Sequence, residues 1–181
     1  MKNLLLIVTL LFSFILNAQV VSQEFELTPE NFRSKSESDK DYIVIEVPGK
    51  TNNELFNKSK QFINQYYNNP KFVTSESDNS QIVINAYGSK YSMTMFSWYN
   101  EYQIELQFKD GKIKLSPKFK WIKNYNGGDD IPLVLGPGYM WAVFNKKGKV
   151  MRSKSKQIAE QDLKDFVTGL LNKIHESSDN W

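Results

Sequence analysis

The sequence predicts an α+β domain, a mostly antiparallel sheet with two helices on one face. Three observations carry this reading. Two stretches place apolar residues at three-to-four spacing, short segments between them alternate apolar with polar residues, and turn residues separate those segments. The expected order is β-α-β-β-β-β-(insertion)-α. Setting both apolar helix stripes against one sheet face buries them and leaves the other sheet face to water.

The first residues stand apart from this pattern. Lys2 supplies a positive charge, and from Leu4 to Leu16 every position but Thr9 and Ser13 is apolar, the h-region of a secretory signal peptide. That run is short for a bilayer span, and it lacks the polar residues that would mark the wet face of a buried helix. Ala18 is the small residue before the expected cut, so residues 1–18 are expected to be removed and the rest exported, to the periplasm or the medium. The chain has no cysteine, which excludes a lipoprotein anchor, a disulfide framework and a thiolate metal site. Lys and Arg number 23 against 20 Asp and Glu, a near balance that argues against a general nucleic-acid binder. No later run is long and apolar enough for a membrane span once the signal is gone.

Residues 19–40 are rich in Ser, Glu, Lys and Asp, with Phe25, Leu27 and Phe32 around Thr28-Pro29-Glu30, and read as a flexible arm with at most one helical turn. The domain is expected over 41–176. Tyr42–Val47 reads as a strand by its β-branched residues, ended by Pro48-Gly49. Thr51 and Glu54 form a capping box, and Leu55, Phe56, Phe62, Ile63, Tyr66 and Tyr67 make one apolar helix face that stops before Pro70. Strand segments follow at Lys71–Glu76, Gln81–Tyr87 and Tyr91–Trp98.

The next pair is the clearest local signal. Tyr102, Ile104, Leu106 and Phe108 alternate with Gln103, Glu105 and Gln107, and Asp110-Gly111 makes a two-residue hairpin turn. That turn sets Lys109 opposite Lys112 and pairs Phe108 with Ile113, Leu106 with Leu115, Ile104 with Pro117 and Tyr102 with Phe119. A slip of one residue would put the whole apolar set in water. Residues 124–152 read as an insertion: a long loop around Ile131-Pro132-Leu133-Val134-Leu135, then a small hairpin of Tyr139–Phe144 with Lys149–Arg152. A final helix carries Ile158, Leu163, Phe166, Val167, Leu170, Leu171 and Ile174 on one stripe, and 177–181 is a polar tail.

The segment Tyr42–Thr51 leading into Glu54-Leu55-Phe56, the Lys109-Asp110-Gly111-Lys112 turn and the leading signal peptide together resemble an uncharacterised family of exported bacterial proteins, a domain of unknown function with a fold like the TATA-box-binding protein. The similarity runs from about Tyr42 to about Trp121, and the insertion lies beyond the family pattern. The resemblance implies a fold and carries no activity. DNA binding does not follow from the fold name, because function belongs to sites rather than folds.

No residue set makes a catalytic or cofactor motif, so no cofactor is expected. Gly49-Lys50-Thr51 lies between a strand and a helix like the end of a phosphate loop, but Val44 occupies the place of the required glycine, and a turn with a capping Thr explains it. His175, the single histidine, falls in the last turn of the final helix, where it offsets the carbonyl end of the dipole. Asp129-Asp130 alone makes no calcium loop. Aromatic residues crowd two places, Tyr87 to Tyr102 and Tyr125 to Trp141.

Two functions stay open on this reading. One is a non-enzymatic binding or interaction module of the cell envelope. The other is a hydrolase that acts on an envelope polymer through paired carboxylates. The expected contact region is Tyr125, Ile131, Leu133, Leu135, Tyr139, Met140 and Trp141, since a long loop rich in apolar residues is ordered and commonly functional. An envelope protein, a glycan and a lipid all remain open as the ligand, as does the oligomeric state.

Overall fold

A computed structural model describes residues 24–67, 74–93 and 95–176. The expected signal peptide, its cleavage point, residues 71–73 and the polar tail lie outside the described residues.

The first described segment corrects the sequence reading. Residues expected as a loose arm form a β-hairpin, β1 (Phe25–Thr28) with β2 (Asn31–Ser34), pairing Phe25 with Ser34 and Leu27 with Phe32. Phe25, Leu27 and Phe32 are buried in the main core, so the domain begins before residue 41. Local composition favoured disorder, and the burial of three large side chains outweighs it. Asn31 takes a positive φ of 102°, and its amide reaches the next sheet. Its Nδ2 donates to the Phe119 carbonyl (3.0 Å) and its Oδ1 accepts from the Phe119 N–H (2.8 Å).

β3 (Ile43–Glu46) precedes α1 (Asn52–Tyr66), which opens on the expected capping box of Thr51 and Glu54. The turn before α1 docks on the Asp110-Gly111 turn. Asp110 accepts from the Asn52 N–H (2.7 Å), Gly111 N–H donates to the Lys50 carbonyl (2.8 Å) and Val47 N–H to the Gly111 carbonyl (2.7 Å). The two segments that carried the family resemblance are therefore one structural unit. Gly111 has φ +74°, the left-handed conformation the two-residue hairpin needs.

Five strands follow α1, one more than the expected order: β4 (Thr74–Ser77), β5 (Gln81–Tyr87), β6 (Tyr91–Met93), β7 (Phe96–Lys109) and β8 (Lys112–Asn124). The expected Tyr91–Trp98 strand is two strands, because β6 folds back on the start of β7 and pairs Tyr91 with Trp98. β7 then runs unbroken to Lys109. Asn100 hid this continuity: it points inward where an apolar residue would have kept the alternation, and it is fully buried. Its amide is satisfied by the Tyr91 hydroxyl (2.9 Å) and the Ser155 carbonyl (3.3 Å). The β7–β8 register is the one read from the sequence, from Lys109–Lys112 to Tyr102–Phe119, after which a bulge at Lys120 shifts it. The sheet order is β3-β8-β7-β5-β4, with β6 beside β7, and every pairing is antiparallel.

From Asn124 the chain makes only isolated bridges, Ile122 with Ile131, Val134 with Phe144 and Phe144 with Val150. The expected small hairpin is thus a turn closed by one bridge, without strands. α2 (Ser153–His175) returns across the sheet, packing Phe166 on Phe62 of α1 with ring centroids 5.2 Å apart. Both helices lie on one face of the sheet and bury their apolar stripes there. Among the described residues no helix is long and apolar enough to cross a membrane.

Candidate functional site

The far end of the β7–β8 ladder opens into a groove of about 1060 Å³. Met93 from β6, Phe96 and Trp98 from β7 and Trp121 from β8 form one wall. The segment 128–131 and 137–141 forms the other, and Arg152, just before α2, closes one side.

The second wall is held from both ends while its tip stays exposed. Ile131 exchanges two backbone hydrogen bonds with Ile122 (2.9 Å each) and is buried. Lys123 ties Asp130 in place (2.6 Å) and lies 3.6 Å from Glu101, an arrangement that raises the lysine pKa chiefly through the Asp130 hydrogen bond. At the other end Phe144 N–H donates to the Leu133 carbonyl (2.9 Å), Leu135 N–H to the Phe144 carbonyl (2.9 Å), and Ala142, Val143 and Phe144 are buried. Between these anchors, Gly136-Pro137-Gly138 turns the chain and presents Tyr139, Met140 and Trp141, of which Met140 is 78% exposed and Trp141 52%. Tyr139 leans on Trp121 (centroids 6.0 Å apart), and Phe96, 47% exposed, meets Trp98 edge-on (6.5 Å).

Arg152 lies against this aromatic surface. Its guanidinium carbon is 4.8 Å from the Trp141 ring centroid, and Nη1 donates to the Met93 sulfur (2.8 Å), a weak acceptor. Its Nε is buried without a partner, no acidic side chain among the described residues pairs with it, and burial holds its pKa below the usual arginine value.

The expected contact residues divide. Tyr139, Met140 and Trp141 line the groove, with Ile131 in its floor. Leu133 is half-buried against the core, Leu135 is half-buried outside the groove lining, and Tyr125 stands apart under Lys90, whose Nζ is 3.4 Å from its ring centroid. Met93, Phe96, Trp98, Trp121 and Arg152 were outside the expected set. Extending the hairpin register would not have placed the two tryptophans, since the bulge at Lys120 sets Trp121 opposite Glu101 and Trp98 opposite Asn124.

A smaller concavity of about 350 Å³ lies between α1, β5 and α2, lined by Tyr66, Tyr67, Tyr87, Tyr102 and Asp162. Asp162 is the only carboxylate among its lining residues, and it accepts from the Tyr102 hydroxyl (2.7 Å) and the Ser89 N–H (3.2 Å). Burial first, then the Asp162 charge, pushes the Tyr102 pKa well up, and burial brings Tyr91 up to about 12. Gly88 lets the carboxylate approach, because a Cβ there would lie 2.0 Å from Asp162 Oδ2. This carboxylate is a strut between α2 and the β5–β6 turn. Other sequence candidates also have structural partners: Thr51 caps α1, Lys50 pairs with Glu54 (3.4 Å), and His175 Nδ1 contacts the Leu171 carbonyl (2.8 Å). Among the described residues no three His, Asp or Glu side chains converge as a metal site.

Residues 42–118 match the model of a domain of unknown function (DUF4468) with TBP-like fold. The chain is similar to a crystal structure of a DUF4468 family protein from Bacteroides ovatus, at 13% identity and a TM-score of 0.48, covering 77% of this chain and 88% of that one. It is also similar to a crystal structure of a TBP-like protein from Parabacteroides distasonis, at 11% identity and a TM-score of 0.46, covering 74% and 87%. No curated protein matches the chain. The matched segment holds Met93, Phe96 and Trp98, while Trp121, the whole second wall and Arg152 lie after it.

Proposed function

We propose that this chain, whose residues 42–118 form a DUF4468 domain with a TBP-like fold, is an exported, non-enzymatic binding module of the bacterial envelope that holds its ligand in the groove between β7–β8 and residues 128–141. The observation that carries this reading is the convergence of Phe96, Tyr139, Met140 and Trp141, all exposed, on one concave surface whose backbone is anchored on both sides. Exposed large side chains scattered singly need no explanation, but a contiguous aromatic patch marks a contact site. Aromatic anchors in a concave setting are also the residues that dominate binding energy. The groove volume matches the upper range of small-molecule sites, roughly 300–1,000 Å³. Export is supported by Lys2, the apolar run Leu4–Leu16 and Ala18.

A fragment screen by ligand-observed NMR on the purified protein tests the reading. Aromatic and aliphatic fragments are expected to bind in mutual competition and to lose binding in a Met140→Ala, Trp141→Ala double variant that keeps its thermal stability. Fragment binding that is untouched by the double variant would place the contact surface elsewhere.

A further inference from the structure

The groove's charge states what its ligand carries. Arg152 projects into an aromatic surface with none of its guanidinium N–H groups bonded to an oxygen among the described residues and its Nε shielded from water. A guanidinium offers five donors, and stacking on an indole leaves its edge free for a planar anion. The two acids of the groove do not answer it. Asp130 is held by Lys123 at 2.6 Å, and neither Asp129 nor Asp130 pairs with Arg152. The electrostatics agree, since burial is the main influence on Arg152 and no carboxylate offsets it.

We propose that the ligand of this groove is a small amphipathic carboxylate, its apolar body against Trp98, Trp121 and Trp141 and its carboxylate on the Arg152 guanidinium. This rests on the groove being the binding site and adds the ligand's chemistry. The match is of both kinds at once. The aromatic and Met walls remove apolar surface from water, and the carboxylate gives the partly buried guanidinium the charge-assisted hydrogen bonds it lacks, the geometry arginine favours for carboxylates. A neutral ligand of the same shape would leave that cation unpaired, and a cationic one would be repelled by it.

The test uses two probes with one body, 2-naphthylacetate and 2-naphthylacetamide, titrated into the purified protein and followed by tryptophan fluorescence and by indole N–H cross-peaks. The carboxylate is expected to bind at least about ten-fold more tightly than the amide, a factor within reach of one charge-assisted contact. Arg152→Gln should abolish that ratio by weakening the carboxylate far more than the amide, and Arg152→Lys should restore part of it. Trp141→Ala should weaken both probes. Equal binding of the two probes in the unaltered protein, lost together in Trp141→Ala, would overturn the carboxylate inference and keep the groove. Preference for the amide, a carboxylate preference that survives Arg152→Gln, or the binding of neither probe at millimolar concentration would also overturn it.

Discussion

The β7–β8 ladder and the segment 124–152 are joined end to end and are held together by different physics. In the ladder, Tyr102, Ile104, Leu106 and Phe108 face Phe119, Pro117, Leu115 and Ile113 in one continuous register. Alternation on a two-residue period buries one face completely and wets the other. The long segment makes three isolated bridges and gains its order from a few buried anchors, Ile131 on one side and Ala142 to Phe144 on the other. The tip between them, residues 137–141, is exposed and is released from the work of folding. Tyr139, Met140 and Trp141 can therefore face outward without loss to the core, and a binding surface can be built on a rigid scaffold.

The largest effect expected from this contrast lies in the ladder. Leu106 is fully buried, and Leu106→Ala should destabilise the protein by about 2–5 kcal/mol. Lys114, on the wet face with its Nζ 4.3 Å from the Tyr42 ring centroid, should cost less than about 1 kcal/mol when replaced by Ala. Urea denaturation of both variants measures the difference, and equal costs would reject the two-faced ladder. Next comes the strut between α2 and the sheet. In Gly88→Ala the new methyl meets Asp162 Oδ2 at 2.0 Å and Tyr102 Cε2 at 2.7 Å, so overpacking should cost about 1–3 kcal/mol. A Gly88→Ala variant as stable as its parent would show that Asp162 is free to move.

A smaller effect is expected where the first hairpin meets α2. Hydrogen bonds from Lys164 and Lys35 bring the Glu24 pKa down from 4.5 to about 2. A carboxylate whose folded pKa lies below its unfolded value contributes stability that is present above the unfolded pKa and is lost as pH falls through the folded one. Glu24→Gln should therefore lower the melting temperature at pH 6, and the gap between variant and parent should close between pH 4.5 and about 2. The pair is partly exposed, so the gap is modest and shrinks with salt. A gap that stays constant from pH 6 to pH 2 would remove this contact from the account.

The ladder was legible in the sequence because its signals are local. Asp110-Gly111 and the alternation around it set the register, and Thr51 with Glu54 marked the start of α1. Phe25, Leu27 and Phe32 were visible, but their strand pairing is stabilised by burial against α2 and β8, which no local rule reports. Asn100 concealed the length of β7, since a buried amide satisfied by Tyr91 and Ser155 reads as a break in the pattern. At the site, composition singled out Tyr139, Met140 and Trp141. The opposite wall stayed hidden because the Lys120 bulge and the fold of β6 onto β7 decide which aromatic residues reach the groove. Arg152 was read as a strand end, and only the placement of α2 brings it against Trp141.

The contrast between a ladder that holds the fold and a segment tip that holds the ligand is tested most directly by replacing residues 137–141 with a Gly-Ser linker of equal length. Thermal unfolding and the indole N–H spectrum would be followed together during titration with 2-naphthylacetate. Three of the four tryptophans, Trp98, Trp121 and Trp141, line the groove. The account predicts that the melting temperature moves by less than about 4 °C, the shift of roughly one kcal/mol in a chain of this size. It also predicts that the probe, which shifts the groove indoles in the unaltered protein, no longer moves those of Trp98 and Trp121. A linker variant that unfolds far below its parent, or that keeps the probe-induced shifts at Trp98 and Trp121, would contradict it.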